Sequence, residues 1–182
     1  MSLRIVGGLF RGRLLKSPQG DQTRPTTSMV REAVFNICQE WIQGARFLDL
    51  FAGSGAMGLE AISRGAIFAT FIDKDKHASA CIRQNIELLQ VQEMAQVLTI
   101  EVRTALPKLL SPYDIIYIDP PYEKDTAVIL DELTKLNLLS SNGILFVEER
   151  YQSKTAHIPK GFELINKRRY GIAQLLWYRK SI

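Results

Sequence analysis

The middle of the chain alternates between short apolar runs and segments whose apolar residues recur every three or four positions. The runs predict five β-strands and the periodic segments predict helices. The predicted strands are Arg46–Phe51, Ile67–Ile72, Val97–Val102, Asp114–Ile118 and Ile144–Glu148. The predicted helices include an amphipathic one over Val30–Trp41, followed by a short one ending at Arg64, then Lys76–Leu89, Leu106–Leu110 and Thr126–Leu136. Strands joined by helical crossovers predict a mostly parallel, doubly wound, Rossmann-like α/β sheet.

Each end of the chain has two further strand-like runs on either side of a glycine turn, which predict antiparallel hairpins. The four runs are Leu3–Val6, Arg13–Lys16, Phe162–Arg169 and Ala173–Arg179. We expect the C-terminal hairpin to extend the sheet. We expect residues 1–26 to form a basic β-hairpin and connector, and residues 27–182 to form the main domain.

Charge is distributed unevenly over the 182 residues. Residues 1–31 carry a net charge of +5 and residues 150–182 carry +7, whereas the middle of the chain carries −8. An acidic body with two basic ends indicates that the ends bind a polyanion such as a nucleic acid. The alternative is that both basic ends are solvated surface.

Composition excludes several classes of protein. With 46% hydrophobic and 23% charged residues, the chain is not disordered. No apolar run approaches the roughly 18 residues that span a bilayer, and Met1–Gly8 shows no secretion signal. Cys38 and Cys81 are expected to be buried free thiols, and two histidines without paired cysteines predict no metal site. We therefore expect a cytoplasmic protein without a membrane anchor.

A glycine-rich segment follows the first predicted strand of the middle region. Gly53, Gly55 and Gly58 match the pattern G-x-G-x-x-G between a strand and a helix, and Asp73 follows Gly53 by 20 residues. This is the spacing of a carboxylate that binds a ribose, and glycines let the backbone approach a ligand closely. The pattern predicts a nucleoside cofactor, and a tight strand-to-helix turn without a ligand is the alternative.

Asp49 precedes Gly53 by four residues and bears on which cofactor binds. A dinucleotide would bring a pyrophosphate to this loop, where a nearby carboxylate would repel it. S-adenosylmethionine brings an ammonium, which a carboxylate can bind directly or through water. Asp49 therefore favours S-adenosylmethionine over NAD.

The fourth predicted strand ends in Asp119, Pro120, Pro121 and Tyr122. In a doubly wound sheet this end faces the same crevice as the glycine loop, because the strand order reverses between them. The prolines lack N–H donors, so their carbonyls and the Asp119 carboxylate are acceptors that suit a substrate amine. Tyr122 offers a flat face on which a base can stack. The segment predicts methyl transfer to an exocyclic amine, with a plain proline turn as the alternative.

These motifs resemble a known family. Asp49–Gly55 followed by Asp119–Tyr122 resembles the S-adenosylmethionine-dependent amino-methyltransferases. Arg4–Gly8, Arg11–Arg13 and Arg24–Thr26 resemble more narrowly the RsmD family, and the resemblance covers nearly the whole chain. It implies methylation of the N2 amine of one guanine in 16S rRNA of the bacterial small ribosomal subunit.

The resemblance also implies where RNA binds. The N-terminal hairpin and connector would hold RNA, with Arg24 and Arg31 nearer the crevice. The implied phosphate-binding residues are Arg4, Arg11, Arg13 and Lys16. A second basic cluster in the C-terminal hairpin either contacts RNA or is the solvated charge of an edge strand; its residues are Lys167, Arg168 and Arg169. The chain has little room for a separate recognition domain, so the expected partner is rRNA within a partly assembled small subunit.

One position departs from the family pattern. The family usually has Asp or Asn followed by Ala after the third strand, in contact with the cofactor's adenine, whereas this chain has Arg103 and Thr104. A guanidinium cannot accept a hydrogen bond from the adenine amine, so either Thr104 or the backbone takes that role, or the loop lies differently. Thr104 is carried as the candidate for the cofactor site and Arg103 is left unassigned.

Three other functions compete with rRNA guanine methylation. An adenine-N6 methyltransferase acting on RNA or DNA is the main one, because the same tetrapeptide also suits that amine. A nicotinamide-dependent oxidoreductase is disfavoured by Asp49. A non-catalytic RNA-binding protein would keep the basic ends but would not need Asp119.

Overall fold

A computed structural model describes residues 3–18, 28–121, 126–151 and 156–181. Its helices are α1 (Ser28–Ile37), α2 (Ala56–Ser63), α3 (Lys76–Leu89), α4 (Val102–Ala105) and α5 (Thr126–Lys135). Its strands are β1 (Arg46–Leu50), β2 (Phe68–Asp73), β3 (Ala95–Thr99), β4 (Tyr113–Ile118), β5 (Leu139–Arg150), β6 (Phe162–Tyr170) and β7 (Ala173–Lys180).

All seven strands form one sheet in the order β3-β2-β1-β4-β5-β7-β6. The first five strands pair in parallel, and β7 is antiparallel to both β5 and β6. This confirms the predicted doubly wound sheet with an appended hairpin. The strand order reverses between β1 and β4, so the predicted crevice lies at the carboxyl ends of these two strands.

Each face of the sheet is covered by its own apolar core. On the α1 face, the side chains of Phe47, Phe71, Tyr117 and Phe146 pack under α1, α2 and α3. On the α5 face, alternate positions of the same strands pack under α4 and α5. Because both faces are buried, the strands are nearly continuous apolar runs, as their sequences indicated.

Several element boundaries differ from the sequence prediction: α1 ends at Ile37 instead of Trp41, and a 3-10 turn over Leu106–Lys108 replaces the helix expected over Leu106–Leu110. The bounds of β3 and β5 differ as well. β3 ends at Thr99 and the chain turns into α4, because the Glu101 carboxylate caps that helix by accepting from the N–H groups of Arg103 and Thr104. β5 begins at Leu139, five residues earlier than expected, because Leu139 pairs with Tyr113 before an irregularity in the register with β4.

The N-terminal segment forms the expected hairpin only in a short version. A single antiparallel bridge joins Arg4 to Leu14, and Ile5 N donates to Arg13 O at 3.0 Å. Ile5 and Leu15 are buried in the α1-face core. Residues 3–18 thus share the core of the main body instead of extending away from it.

Candidate active site at the carboxyl edge of the sheet

The loop after β1 runs through backbone conformations that side chains rarely adopt. Phe51, Gly53 and Gly55 all have positive φ, of 64°, 56° and 76°. Asp119 N donates to Leu50 O at 3.4 Å, so the end of β4 lies beside the end of β1. The glycine loop and the proline segment therefore meet at one edge, as predicted from the topology.

The three glycines of the loop have different surroundings. A Cβ on Gly53 would meet nothing within 4 Å, which leaves open space beside the loop where a ligand can approach the backbone. A Cβ on Gly58 would lie 2.3 Å from the Phe71 ring, so this glycine is required for packing of α2 on the sheet. Gly55 precedes α2 as its N-cap and packs near Ile82.

Asp73, at the end of β2, holds the glycine loop through one carboxylate oxygen and the turn before α3 through the other. Oδ2 accepts from Gly53 N at 2.9 Å and Oδ1 accepts from Asp75 N at 2.9 Å. The side chain predicted to bind a ribose thus stands directly beside the open space at Gly53.

Asp49 is almost fully buried, and its Oδ2 accepts from Gly58 N at 3.0 Å. Burial raises the pKa of Asp49 well above its ordinary value, and the nearby charges of Asp119 and Asp73 raise it further. The Gly58 N–H opposes the shift. Asp49 therefore lies close enough to Asp73 and to Asp119 to be affected by the charge of each, which favours a cationic group beside it.

The proline segment lies where the topology places it. Asp119 is half-buried, Pro120 is buried and Pro121 is exposed. Tyr122 lies outside the described residues, so its predicted stacking role stays a prediction.

The two residues that depart from the family pattern occupy α4. Thr104 is exposed, and its N–H donates to Glu101. Arg103 forms an ion pair with Glu132 of α5 at 2.7 Å and so links α4 to α5. Its partner is 29 residues away in sequence, and no local pattern indicated the contact.

The basic residues of the N-terminal segment divide into exposed and buried side chains. Arg4, Arg11, Arg13 and Lys16 are exposed, and Arg24 lies outside the described residues. Arg31 is only 3% exposed. Its Nη2 donates to Arg4 O at 2.8 Å, and its Nε lies 3.5 Å from Glu60 Oε2. Burial lowers the pKa of the Arg31 guanidinium, and Glu60 opposes that shift.

The second basic cluster lies on the edge strand β6. Lys167, Arg168 and Arg169 are exposed. The Arg168 guanidinium lies 5.6 Å from the Trp177 ring centroid, and that of Arg169 lies 4.2 Å from the Tyr151 ring centroid. These contacts hold both cations in place while leaving them accessible to a polyanion.

Glu60 of α2 binds both the N-terminal segment and Arg31 of α1, a role that the sequence did not predict. It is fully buried and accepts from Val6 N and Gly7 N, both at 2.7 Å, and from Arg64 Nε at 2.8 Å. A carboxylate inside the otherwise apolar segment Ala56–Ser63, which is buried along its whole length, was the available signal. Ser63 adds a further contact between α2 and the N-terminal segment, because its hydroxyl oxygen accepts from Phe10 N at 2.9 Å.

No described helix is long and apolar enough to cross a membrane. In the same part of the chain, no group of three or more His, Cys, Asp or Glu residues is arranged to hold a metal ion.

Comparison with known proteins gives consistent matches over nearly the full length. A family model described as "Conserved hypothetical protein 95" matches residues 3–179. Ribosomal RNA small subunit methyltransferase D of Escherichia coli (strain K12) is 35% identical over 186 residues, covering 98% of this chain and 91% of the relative. The protein of the same name from Haemophilus influenzae is 32% identical, and the match covers 97% of this chain and 93% of that protein. The structure of the Escherichia coli protein yhhF superposes with a TM-score of 0.90 at 32% identity, covering 99% of this chain and 98% of that one.

Proposed function

Because the chain belongs to the RsmD family and has the class I methyltransferase fold, we propose that it methylates the exocyclic N2 amine of a guanine in 16S rRNA, using S-adenosylmethionine. The observation that carries the proposal is the meeting of the glycine loop and the Asp119–Pro121 segment at the point where strand order reverses. Relatives named as small-subunit rRNA methyltransferases support the same substrate class.

The residues at this edge fit S-adenosylmethionine chemically. Asp49 would bind the ammonium, and Asp73 would accept hydrogen bonds from ribose hydroxyls. The open space at Gly53 lets the loop backbone lie against the ligand, while Gly55 and Gly58 fix the start of α2. Thr104 is proposed to lie near the adenine. When bound, the cofactor supplies an electrophilic methyl group on a sulfonium.

The protein's own task is to position the target amine. Asp119 and the carbonyls of Pro120 and Pro121 accept hydrogen bonds from the amine's N–H groups, which pulls the nitrogen toward tetrahedral geometry and frees its lone pair. Tyr122 is proposed to stack on the base. Attack needs alignment more than a strong base, and the released proton goes to Asp119 or to water.

RNA is proposed to be held by the two exposed basic surfaces. Their described residues are Arg4, Arg11, Arg13 and Lys16 in the N-terminal segment and Lys167, Arg168 and Arg169 on β6. Arg24, which lies outside the described residues, is proposed to contact RNA as well. Arg31 has little accessible surface, so its proposed contribution is to hold Arg4 through the backbone carbonyl. A paired base cannot reach the site, so the target is unpaired or flipped out. We expect a cytoplasmic protein that acts on partly assembled subunits.

The proposal is tested by incubating purified protein with labelled S-adenosylmethionine and unmethylated small-subunit rRNA, either free or within assembled particles. Nucleoside mass spectrometry identifies the product. We expect N2-methylguanosine, formed faster on particles than on free rRNA. N6-methyladenosine would support the adenine alternative, and RNA binding without methyl transfer would support a non-catalytic protein.

A further inference from the structure

Glu148, a residue with no role in the function proposed so far, lies next to the Asp119–Pro121 segment. Val147 of β5 pairs with Ile118 of β4, so the next positions on these neighbouring strands are Glu148 and Asp119. Phe146 is buried in the α1-face core, and side chains alternate along a strand, so Glu148 projects on that same face. Asp49 belongs to this face too, because it pairs with Tyr117 of the same core.

A buried tyrosine fixes the orientation of the Glu148 carboxylate. The hydroxyl of Tyr117, which is only 1% exposed, donates to Glu148 Oε2. Glu148 itself is half-buried. The Arg31 guanidinium lies near enough to Tyr117 to interact with it electrostatically. A carboxylate held in one orientation at the rim of the crevice can select a hydrogen-bonding partner, because its side chain loses little further conformational entropy on binding.

The neighbouring carboxylate shows that this arrangement is specific to one face. Glu149 projects to the α5 face, where its Oε1 accepts from Gln174 Nε2 at 2.6 Å. Glu149 therefore has the same charge one residue away, outside the crevice face, and serves as a matched control.

Part of the second basic cluster on β6 lies on the same face of the sheet as Glu148. Leu175 of β7 pairs with Glu148 on one side and with Arg168 on the other. Arg168 and Glu148 are thus two strands apart, roughly 10 Å, in one row across the sheet. A nucleotide whose phosphate contacts Arg168 can direct its base toward Glu148 and Asp119.

The chemistry of the base then decides what Glu148 can bind. An ionised carboxylate only accepts hydrogen bonds. Guanine carries an N1–H donor directly beside its N2 amine, whereas the N1 atom of adenine, beside its N6 amine, is an acceptor. On the basis of the proposed function, we infer that Glu148 accepts the N1–H of the target base and thereby selects guanine over adenine. Tyr117 is a positioning residue that acts through Glu148.

The test compares guanine with 2,6-diaminopurine at the target position, once the wild-type product has located that position. The analogue keeps the 2-amine but has an acceptor at N1. Wild-type protein is expected to prefer guanine by about 10- to 100-fold in kcat/KM, the range for a well-placed base contact. Glu148→Gln should lose most of this preference, because an amide can present either an acceptor or a donor. Glu149→Gln should behave as wild type.

Two further measurements keep the inference falsifiable. Affinity for S-adenosylhomocysteine and the melting temperature report whether each variant is folded with an intact cofactor site. Tyr117→Phe, which removes only the hydroxyl, should reduce the preference for guanine while leaving S-adenosylhomocysteine affinity unchanged. It also replaces Glu148→Gln as the decisive variant if the latter does not fold.

The outcomes separate this inference from the function on which it rests. If wild type forms N2-methylguanosine but Glu148→Gln and Tyr117→Phe keep its preference for guanine, the inference is overturned and the proposed function stands. If wild type forms no N2-methylguanosine, the proposed function and the inference both fail. Loss of the preference in both variants, with Glu149→Gln unaffected, supports the inference.

Discussion

An Asp49→Asn variant should bind S-adenosylhomocysteine more weakly than wild type and yet unfold at a higher temperature near neutral pH. Asp49 is 2% exposed and has a hydrogen bond from Gly58 N at 3.0 Å. Asparagine keeps the size of the side chain and an acceptor for Gly58. It removes a buried negative charge that lies near Asp73 and Asp119.

The loss in affinity follows from the hydrogen bond that Asp49 is proposed to accept from the ligand's ammonium. A hydrogen bond to a charged group contributes about 1.5–3 kcal/mol. Weakening by this amount corresponds to an increase of about 10- to 150-fold in Kd. Isothermal titration calorimetry measures it directly, because S-adenosylhomocysteine carries the same ammonium.

The gain in stability depends on pH with a defined sign. The pKa of Asp49 is raised in the folded protein, so the side chain favours folding below its ordinary pKa and loses that contribution as pH rises through the raised value. The melting temperature of the variant should therefore exceed that of wild type by an amount that grows with pH across this range. Over the same range wild-type affinity for S-adenosylhomocysteine should rise relative to the variant, because the ligand binds the ionised form.

Asp114→Asn is the matched control, because Asp114 lies near the amino end of β4, away from the crevice, and accepts from Arg46 N at 2.9 Å. It should leave S-adenosylhomocysteine affinity unchanged. Equal affinity in wild type and Asp49→Asn, with the same pH dependence, would refute the assignment of Asp49 to the ammonium. A lower melting temperature for Asp49→Asn near neutral pH would refute the argument from burial.

Three other variants test separate parts of the account. Asp119→Ala should lower the single-turnover methylation rate by at least about 10²-fold, as for loss of one transition-state contact, with S-adenosylhomocysteine affinity nearly unchanged; a matching loss of affinity would place Asp119 in the cofactor site instead. Glu60→Ala should destabilise the fold by about 3–5 kcal/mol in urea unfolding, because Arg31 loses its buried counter-ion; a loss below about 1 kcal/mol, the value for a surface pair, would contradict this. Arg11→Ala combined with Arg13→Ala should reduce the log–log salt slope of RNA binding by roughly 1–2 units, and an unchanged slope would identify these arginines as solvated surface.

The sheet and the position of the crevice could be predicted because both depend on local patterns. Buried parallel strands are apolar over their whole length, and the crossover rule then fixes which strand ends share an edge. Gly53 and Asp73 were predictable as a pair, because the chain passes from one to the other through one helix, α2, and one strand, β2. Their direct hydrogen bond accounts for that spacing.

Long-range electrostatic contacts could not be predicted. Arg31 counts as one of several basic residues in the sequence, but its burial depends on Glu60, which lies in another helix. The pairing of Arg103 with Glu132 likewise joins elements that are distant in the chain. The contact of Tyr117 with Glu148 links two adjacent strands whose order in the sheet had to be known first. The net charge of a segment therefore indicates that the segment binds a polyanion, but it does not tell which of its cationic side chains are exposed to that ligand.

The most direct test of the central claim is nucleoside mass spectrometry of 16S rRNA from a strain that lacks this gene, before and after complementation. We expect one N2-methylguanosine to be missing from the deletion strain, to return with the wild-type gene, and not to return with an Asp119→Ala gene that is expressed at the same level. An unchanged N2-methylguanosine content in the deletion strain, or loss of a different methylated nucleoside, would contradict it.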